Sequence, residues 1–119
     1  MSDIFALTTR PDAEHFYSRD DANDPRLGEV VGREIEGYRH ADIVILGCPQ
    51  DEGVRRNKGR VGAAEAPDAI RRQFYKLTTY NIKKKVFDLG NVAIGATLED
   101  TRDTQIEIVT QLLQDGKRV

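Results

Sequence analysis

Arg55, Arg56, Lys58 and Arg60 place four cations within six consecutive residues, and Asp51 and Glu52 stand just upstream. Gly53, Gly59 and Gly62 punctuate the same stretch and permit positive φ or close backbone approach. Arginines on a glycine-hinged segment suit recognition of a carboxylate or a phosphate, because each guanidinium offers a planar fork of donors. A solvated loop whose arginines pair with Asp51, Glu52 and Glu65 accounts for the same composition. Other chemistry has little to work with. His15 and His40 are the two histidines; neither belongs to a ligand motif, and both read as surface residues. Cys48, the single cysteine, sits where an apolar run ends and reads as a buried inert thiol.

The elements around residues 49–66 say where those cations belong. Ile43, Val44, Ile45 and Leu46 form an aliphatic run without alternation, which predicts a strand buried on both faces, as in a parallel sheet. Gly47, Cys48 and Pro49 break it, and Pro67 then opens a helix, since its missing N–H costs nothing in the first turn. Asp68 favours that helix end and is within reach of Arg72. Ile70, Phe74 and Leu77 recur at helical spacing and are expected to face the sheet. Arg71, beside that stripe, is expected to fold back onto Asp51 or Glu65 as a salt bridge that fixes the loop. Strand, loop and helix make the front half of a βαβ unit. Ligands in open α/β sheets bind beyond the strand carboxyl ends, and irregular loops this long are more often functional.

Val86, Phe87, Asp88 and Leu89 read as a second strand, ended by Gly90 and Asn91. Asp88 points away from Phe87 and either caps a neighbouring loop or lines the site; the structural role is preferred. Lys83, Lys84 and Lys85 read as a solvated strand entry that discourages edge pairing. Asp100 or Thr101 is expected to cap a second helix, with Asp103 in its first turn. Ile106, Val109 and Leu113 form its expected buried stripe, widened by Ile108 and Leu112, and Gly116 ends it. Lys117, Arg118 and Val119 read as the start of a third strand. Upstream, residues 1–24 read as a polar arm with one short helical turn and no core role, anchored by Phe5, Phe16 and Tyr17. Leu27, Val30, Val31 and Ile35 suggest one side of a short amphipathic segment.

The pattern is α/β, a βαβα run on a mainly parallel sheet, with an arm over residues 1–40 and an incomplete α/β domain over 41–119. Lys plus Arg is 18 and Asp plus Glu is 20, a formal charge of −2, which lends no support to nucleic-acid or membrane-surface binding. No apolar run nears the ~18 residues a membrane span needs, and no signal peptide leads the chain. One cysteine makes a reducing cytoplasm the simplest setting.

DEGVRRNKGRVGA at 51–63, followed by an Ala-Pro-Asp-Ala-Ile-Arg-Arg-Gln-Phe helix, resembles the signature loop and first helix of the ureohydrolase superfamily: arginase, agmatinase and formimidoylglutamase. The Arg55-Arg56-Asn57 form with Gly59-Arg60 is most similar to the formimidoylglutamase branch. DLGNV at 88–92 resembles the segment ending the family's second strand, with Asn91 where aspartate is commoner. FYSRDDANDPRLGEVV at 16–31 resembles its N-terminal segment. The resemblance implies an arginase-like three-layer α/β/α fold and hydrolysis of a linear amidine by a pair of manganese ions activating water. Apart from the resemblance, the sheet edges left exposed make a lone monomer doubtful, and a homo-oligomer is expected. The family's Gly-Gly-Gly-His, Asp-x-His-x-Asp and Asp-x-Asp metal segments do not occur here, so no metal ligand and no catalytic residue is assigned. The expectation is the N-terminal third of a formimidoylglutamase-like enzyme that alone neither binds the metals nor turns over. Within it, Arg55, Arg56, Asn57 and Arg60 are the candidate substrate-binding residues, clamping a carboxylate of N-formimidoyl-glutamate. Asp51, Gly59, Gly62, Arg71 and Asp88 are the candidate supports of the loop. Three other readings stay open: an interaction module on the same scaffold, an agmatinase- or arginase-type hydrolase of a guanidino substrate, and a phosphate- or nucleotide-binding domain using the Pro67 helix end.

Overall fold

The computed structural model describes residues 3–119. Among these, three strands form one sheet: β1 (Thr8–Thr9), β2 (Ile43–Gly47) and β3 (Val86–Val92), in the order β1-β3-β2. The helices are α1 (Leu27–Val30), α2 (Glu52–Arg56), α3 (Ala66–Phe74) and α4 (Leu98–Gln114), with 3-10 turns at Ala13–His15, Ile35–His40 and Ala63–Glu65. The aliphatic run forms a strand parallel to β3, with Ile43 opposite Val86 and Ile45 opposite Asp88. The register then slips, placing Leu46 opposite Gly90. Because of that slip Leu89 and Val92, an odd spacing apart, both enter the same buried cluster. β3 therefore runs through Gly90 and Asn91 to Val92, further than the glycine suggested.

Three layers result. Ile108 and Leu112 of α4 pack on Val44, Phe87 and Leu89 on one face of the sheet. Leu27 and Val31 pack with Tyr75, Ile45 and Val86 on the other. Val30 and Ile35, expected beside Leu27 and Val31, are exposed. β2 is fully buried only at Val44 and Gly47, so the expectation of a strand covered on both faces is corrected.

Both helix stripes also rotate relative to the reading from periodicity. In α4 the residues facing inward are Thr101, Ile108 and Leu112, while Ile106 and Leu113 are exposed. Its cap is Thr97, whose hydroxyl oxygen accepts from the Asp100 amide at 3.1 Å, and Glu99 and Asp100 occupy the first turn. Gly116 ends it at φ 78, the left-handed conformation expected of it. In α3 and the turn that follows it, Ile70, Phe74 and Leu77 point outward and Arg71 and Tyr75 point inward. The physical reason is Asp88, whose buried carboxylate on β3 demands a cation and a hydroxyl from whatever covers it. Asp68 reaches Arg71 and His15 instead of Arg72.

The first residues are not peripheral. Ile4 is in the main core, β1 pairs antiparallel with β3, and the Leu7 carbonyl accepts from the Ala93 amide at 2.9 Å. Phe5 meets Tyr38 and Phe87 edge-on, and Phe16 stacks on Tyr75. His15, read as a surface residue, is buried. His40 is exposed, as expected.

The far end of the chain is held as firmly. Arg118 bridges Ile43 in parallel, donating to the Asp42 carbonyl at 3.0 Å and accepting from the Val44 amide at 2.7 Å. Lys117 is buried, and its ammonium donates to the carbonyls of Tyr38, Arg39 and Ala41 at 2.9, 3.1 and 2.8 Å. Lys117→Met keeps the apolar stem and removes the donors, and is expected to cost about 1–3 kcal/mol. A urea midpoint equal to the parent's would show that water replaces the ammonium at no cost. Among the described residues, no helix is long and apolar enough to cross a membrane.

Candidate functional site

The carboxyl ends of β2 and β3 open on the same side, and the segment leaving β2 carries the cations. It is not the irregular loop expected from its composition. Residues 52–56 coil into α2 and Ala63–Glu65 into a 3-10 turn. Asp51 closes the segment, its Oδ2 accepting from the Gly62 amide at 3.0 Å. Of the three glycines only Gly62 takes a positive φ, at 141, while Lys58 adopts φ 60. Gly59 serves close approach: a Cβ there would stand 2.9 Å from Val54 Cγ1.

Pairing divides the cations. Arg55 Nε donates to Glu52 Oε1 at 2.6 Å. Arg56 donates to Glu52 Oε2 at 3.2 Å and to both carboxylate oxygens of Glu99, in the first turn of α4. Asp51 and Glu65, also considered as partners, take neither arginine. The Arg56 guanidinium holds the Glu99 carboxyl down at about 2, and Arg55 with Arg56 lowers that of Glu52. Asn57 caps α2 through its backbone amide. Arg60 is exposed and, among the described residues, has no ion pair or hydrogen bond. Between α2 and the start of α4 lies a cleft of about 460 Å³, lined among others by Gln50, Arg55, Arg56, Ile94, Thr97 and Leu98.

Beneath this surface sits a buried ionic node. Arg71 Nε and Nη2 donate to Asp88 Oδ2 and Oδ1 at 2.8 and 3.0 Å. Nη2 also donates to the Gly90 carbonyl at 2.9 Å, and Nη1 to Asn91 Oδ1 at 2.7 Å. Tyr75 donates its hydroxyl to Asp88 Oδ2 at 2.6 Å, and the Gly90 amide donates to Oδ1 at 2.9 Å. Burial would lower the Arg71 pKa, but the hydrogen bonds and charge of Asp88 outweigh it and hold it above its usual value. Burial pushes the Tyr75 phenol far up, and the Asp88 charge adds to this. Arg71 forms a buried salt bridge, but its partner is Asp88, 17 residues downstream, and not Asp51 or Glu65. Tyr75 and Glu99 carry no sequence motif that marks these roles. Tyr75 had a signal, since Pro67, Arg71 and Tyr75 recur every fourth residue as regularly as the apolar stripe does. Cys48 is half-buried and its thiol pKa is raised by that burial.

None of these carboxylates is placed for a metal. Asp88 is filled by Arg71, Tyr75 and Gly90, Asp51 by Gly62, and Glu52 and Glu99 by arginines. Among the described residues no group of three or more histidine, cysteine, aspartate or glutamate side chains is gathered to hold an ion. The donor set does not fit a manganese pair.

A mixed sheet between two helical layers, with an arginine-bearing segment at the strand ends and a buried arginine–aspartate node below it, defines an α/β protein built around its strand carboxyl ends. The chain belongs to the arginase family, whose model matches residues 41–119. Within that family it is similar to formimidoylglutamases. It is 38% identical over 118 residues to that of Klebsiella pneumoniae (strain 342), covering 89% of this chain and 36% of the relative. With that of Salmonella arizonae it is 42% identical over 112 residues, covering 87% and 36%. A formiminoglutamase from Trypanosoma cruzi, solved with manganese, superposes with a TM-score of 0.68 at 34% identity, covering 79% of this chain and 33% of that one. The chain thus spans about a third of the length of the curated relatives it matches.

Proposed function

We propose that this chain is the N-terminal part of a formimidoylglutamase, a hydrolase that converts N-formimidoyl-glutamate and water to glutamate and formamide. The observation that carries the reading is the likeness to formimidoylglutamases over nearly the whole chain; within it, the uncommitted Arg60 follows Arg55, Arg56 and Asn57 in the segment that leaves β2. The substrate carries two carboxylates, and a guanidinium fork is the side chain best matched to one of them. Binding energy at that remote end orients the formimino carbon for attack by water. Manganese is the metal proposed for the intact enzyme, on the strength of the Trypanosoma cruzi relative, and it activates the water when bound. Its ligands lie outside the residues described above. The cytoplasm is the proposed compartment, on the single cysteine.

In the intact enzyme, Arg60→Ala is expected to raise KM for the dicarboxylate substrate about tenfold to a hundredfold, the loss of one charge-assisted hydrogen bond. KM for an analogue lacking the carboxylates should hardly move; equal loss on both would make Arg60 a folding residue. For the 119-residue chain, calorimetric titration with manganese is expected to show no saturable binding, and no formamide should be released. Formamide release by this chain alone would place the catalytic residues inside it and end this reading.

A homo-oligomer is proposed as well, supported by Ile70 and Phe74 of α3 and Leu77 just after it, which stand 64%, 38% and 55% exposed. Sedimentation equilibrium checks it: a mass that does not change with concentration and equals the monomer's would oppose it.

A further inference from the structure

We propose that His15 and Phe16 act as a positioning pair. Through two contact routes they hold the Arg71–Asp88 node, and with it the segments that leave β2 and β3. The inference concerns the N-terminal arm and goes beyond the substrate reading above.

The first route is a chain of close polar contacts. His15 Nε2 lies 3.2 Å from Asp68 Oδ1, and the same oxygen lies 3.5 Å from Arg71 Nη1. Arg71 Nη1 in turn donates to Asn91 Oδ1 at the end of β3. The second route is aromatic. The Phe16 ring stacks on Tyr75 with centroids 5.0 Å apart and planes 27° from parallel, and Tyr75 donates to Asp88. The two routes enter α3 one turn or more apart and converge on one guanidinium–carboxylate pair. His15 is a poor choice for simple filler, because it is buried and neither ring nitrogen is aligned with a hydrogen-bond acceptor.

The node has little freedom to absorb a disturbance. At Gly47, where β2 ends, a Cβ would stand 2.1 Å from Asn91 Oδ1 and 3.1 Å from Arg71 Nη1, so the node fills the space between both strand ends. The arm has little slack either. A Cβ on Gly28 would stand 2.4 Å from the Tyr17 nitrogen, and the Gly28 amide donates to the Tyr75 carbonyl at 3.0 Å. A shift of the arm therefore presses on α1 and α3 together, and close-packed interiors transmit such shifts.

Amide hydrogen exchange on the 119-residue chain tests the proposal without reference to the reaction. The reporting amides are Gly62, Gly90 and Gly95, each hydrogen-bonded to a side chain in or beside the site. His15→Ala and Phe16→Ala are each expected to speed exchange there by about tenfold or more, with less than about threefold at Ile108 and Leu112 in the opposite layer. His15→Gln and Phe16→Tyr, which keep a polar side chain near Asp68 and a stacking ring, are expected to retain the protection. Unchanged exchange at the three glycines overturns the proposal. So does a rise shared equally by Ile108 and Leu112, as in a variant that unfolds, or a rise confined to residues 13–17.

Discussion

Arg71→Met is expected to cost about 3–5 kcal/mol, because it strips the cation from a carboxylate that has no access to water. Asp88 is 0% exposed and Arg71 3%, and the guanidinium donates four hydrogen bonds into the node. A domain of this size is stable by about 5–15 kcal/mol, so the loss removes a large share of the total. At about 1–3 kcal/mol per molar urea, the unfolding midpoint should fall by roughly 1–5 M. A variant with both Arg71→Met and Asp88→Leu should recover part of the loss, since apolar replacement of a whole buried pair is often neutral. Tyr75 and Asn91, left without their partners, would limit that recovery. Should Arg71→Met cost less than about 1 kcal/mol, the node would contribute no more than an exposed ion pair, and its structural role would be untenable.

Gly90→Ala is expected to be nearly as damaging, by a backbone route. Gly90 has φ 95, and a Cβ there would stand 1.9 Å from the Thr9 carbonyl oxygen and 3.2 Å from Pro11 Cδ. Holding a side-chain-bearing residue in that conformation costs about 1–3 kcal/mol, and forcing a methyl into a filled space costs about 1–3 more. The neighbour in the way is backbone, so relief requires β1 to move off β3. Exchange at the Ala93 amide, which donates to Leu7, would then rise together with a fall in melting temperature. The effect should reach the node too, because the Gly90 carbonyl accepts from Arg71. A melting temperature within about 2 °C of the parent's would mean the β1–β3 contact gives way freely, against the close approach described.

Several features were legible from residue pattern because they are local. The aliphatic run at 43–46, Pro67 in the first turn of α3 and Gly116 after α4 each express a backbone preference that needs no distant partner. The family resemblance was legible for the same reason: 51–74 is a contiguous string. Its first helix lay hidden in the charged stretch, since five residues, 52–56, are too few to show a period. The facing of α3 was misjudged because its apolar stripe and its Arg71–Tyr75 stripe have the same spacing, and hydrophobicity favoured the wrong one. For α4, Ile106, Ile108, Leu112 and Leu113 spread apolar groups around too much of the helix for composition to single out the buried side.

By itself, then, the sequence determined the alternation of strand and helix, the parallel pairing of β2 and β3, the family, and the set of candidate arginines. Tertiary structure alone decided which arginine is left free, since Glu99 reaches Arg56 from 43 residues away. It also decided that Asp88 takes Arg71 and Tyr75, and that residues read as a loose arm enter the core. The physical reason is common to all three. A charge or a ring is satisfied by whatever the fold brings within a few ångströms, and sequence spacing constrains that distance only inside one element.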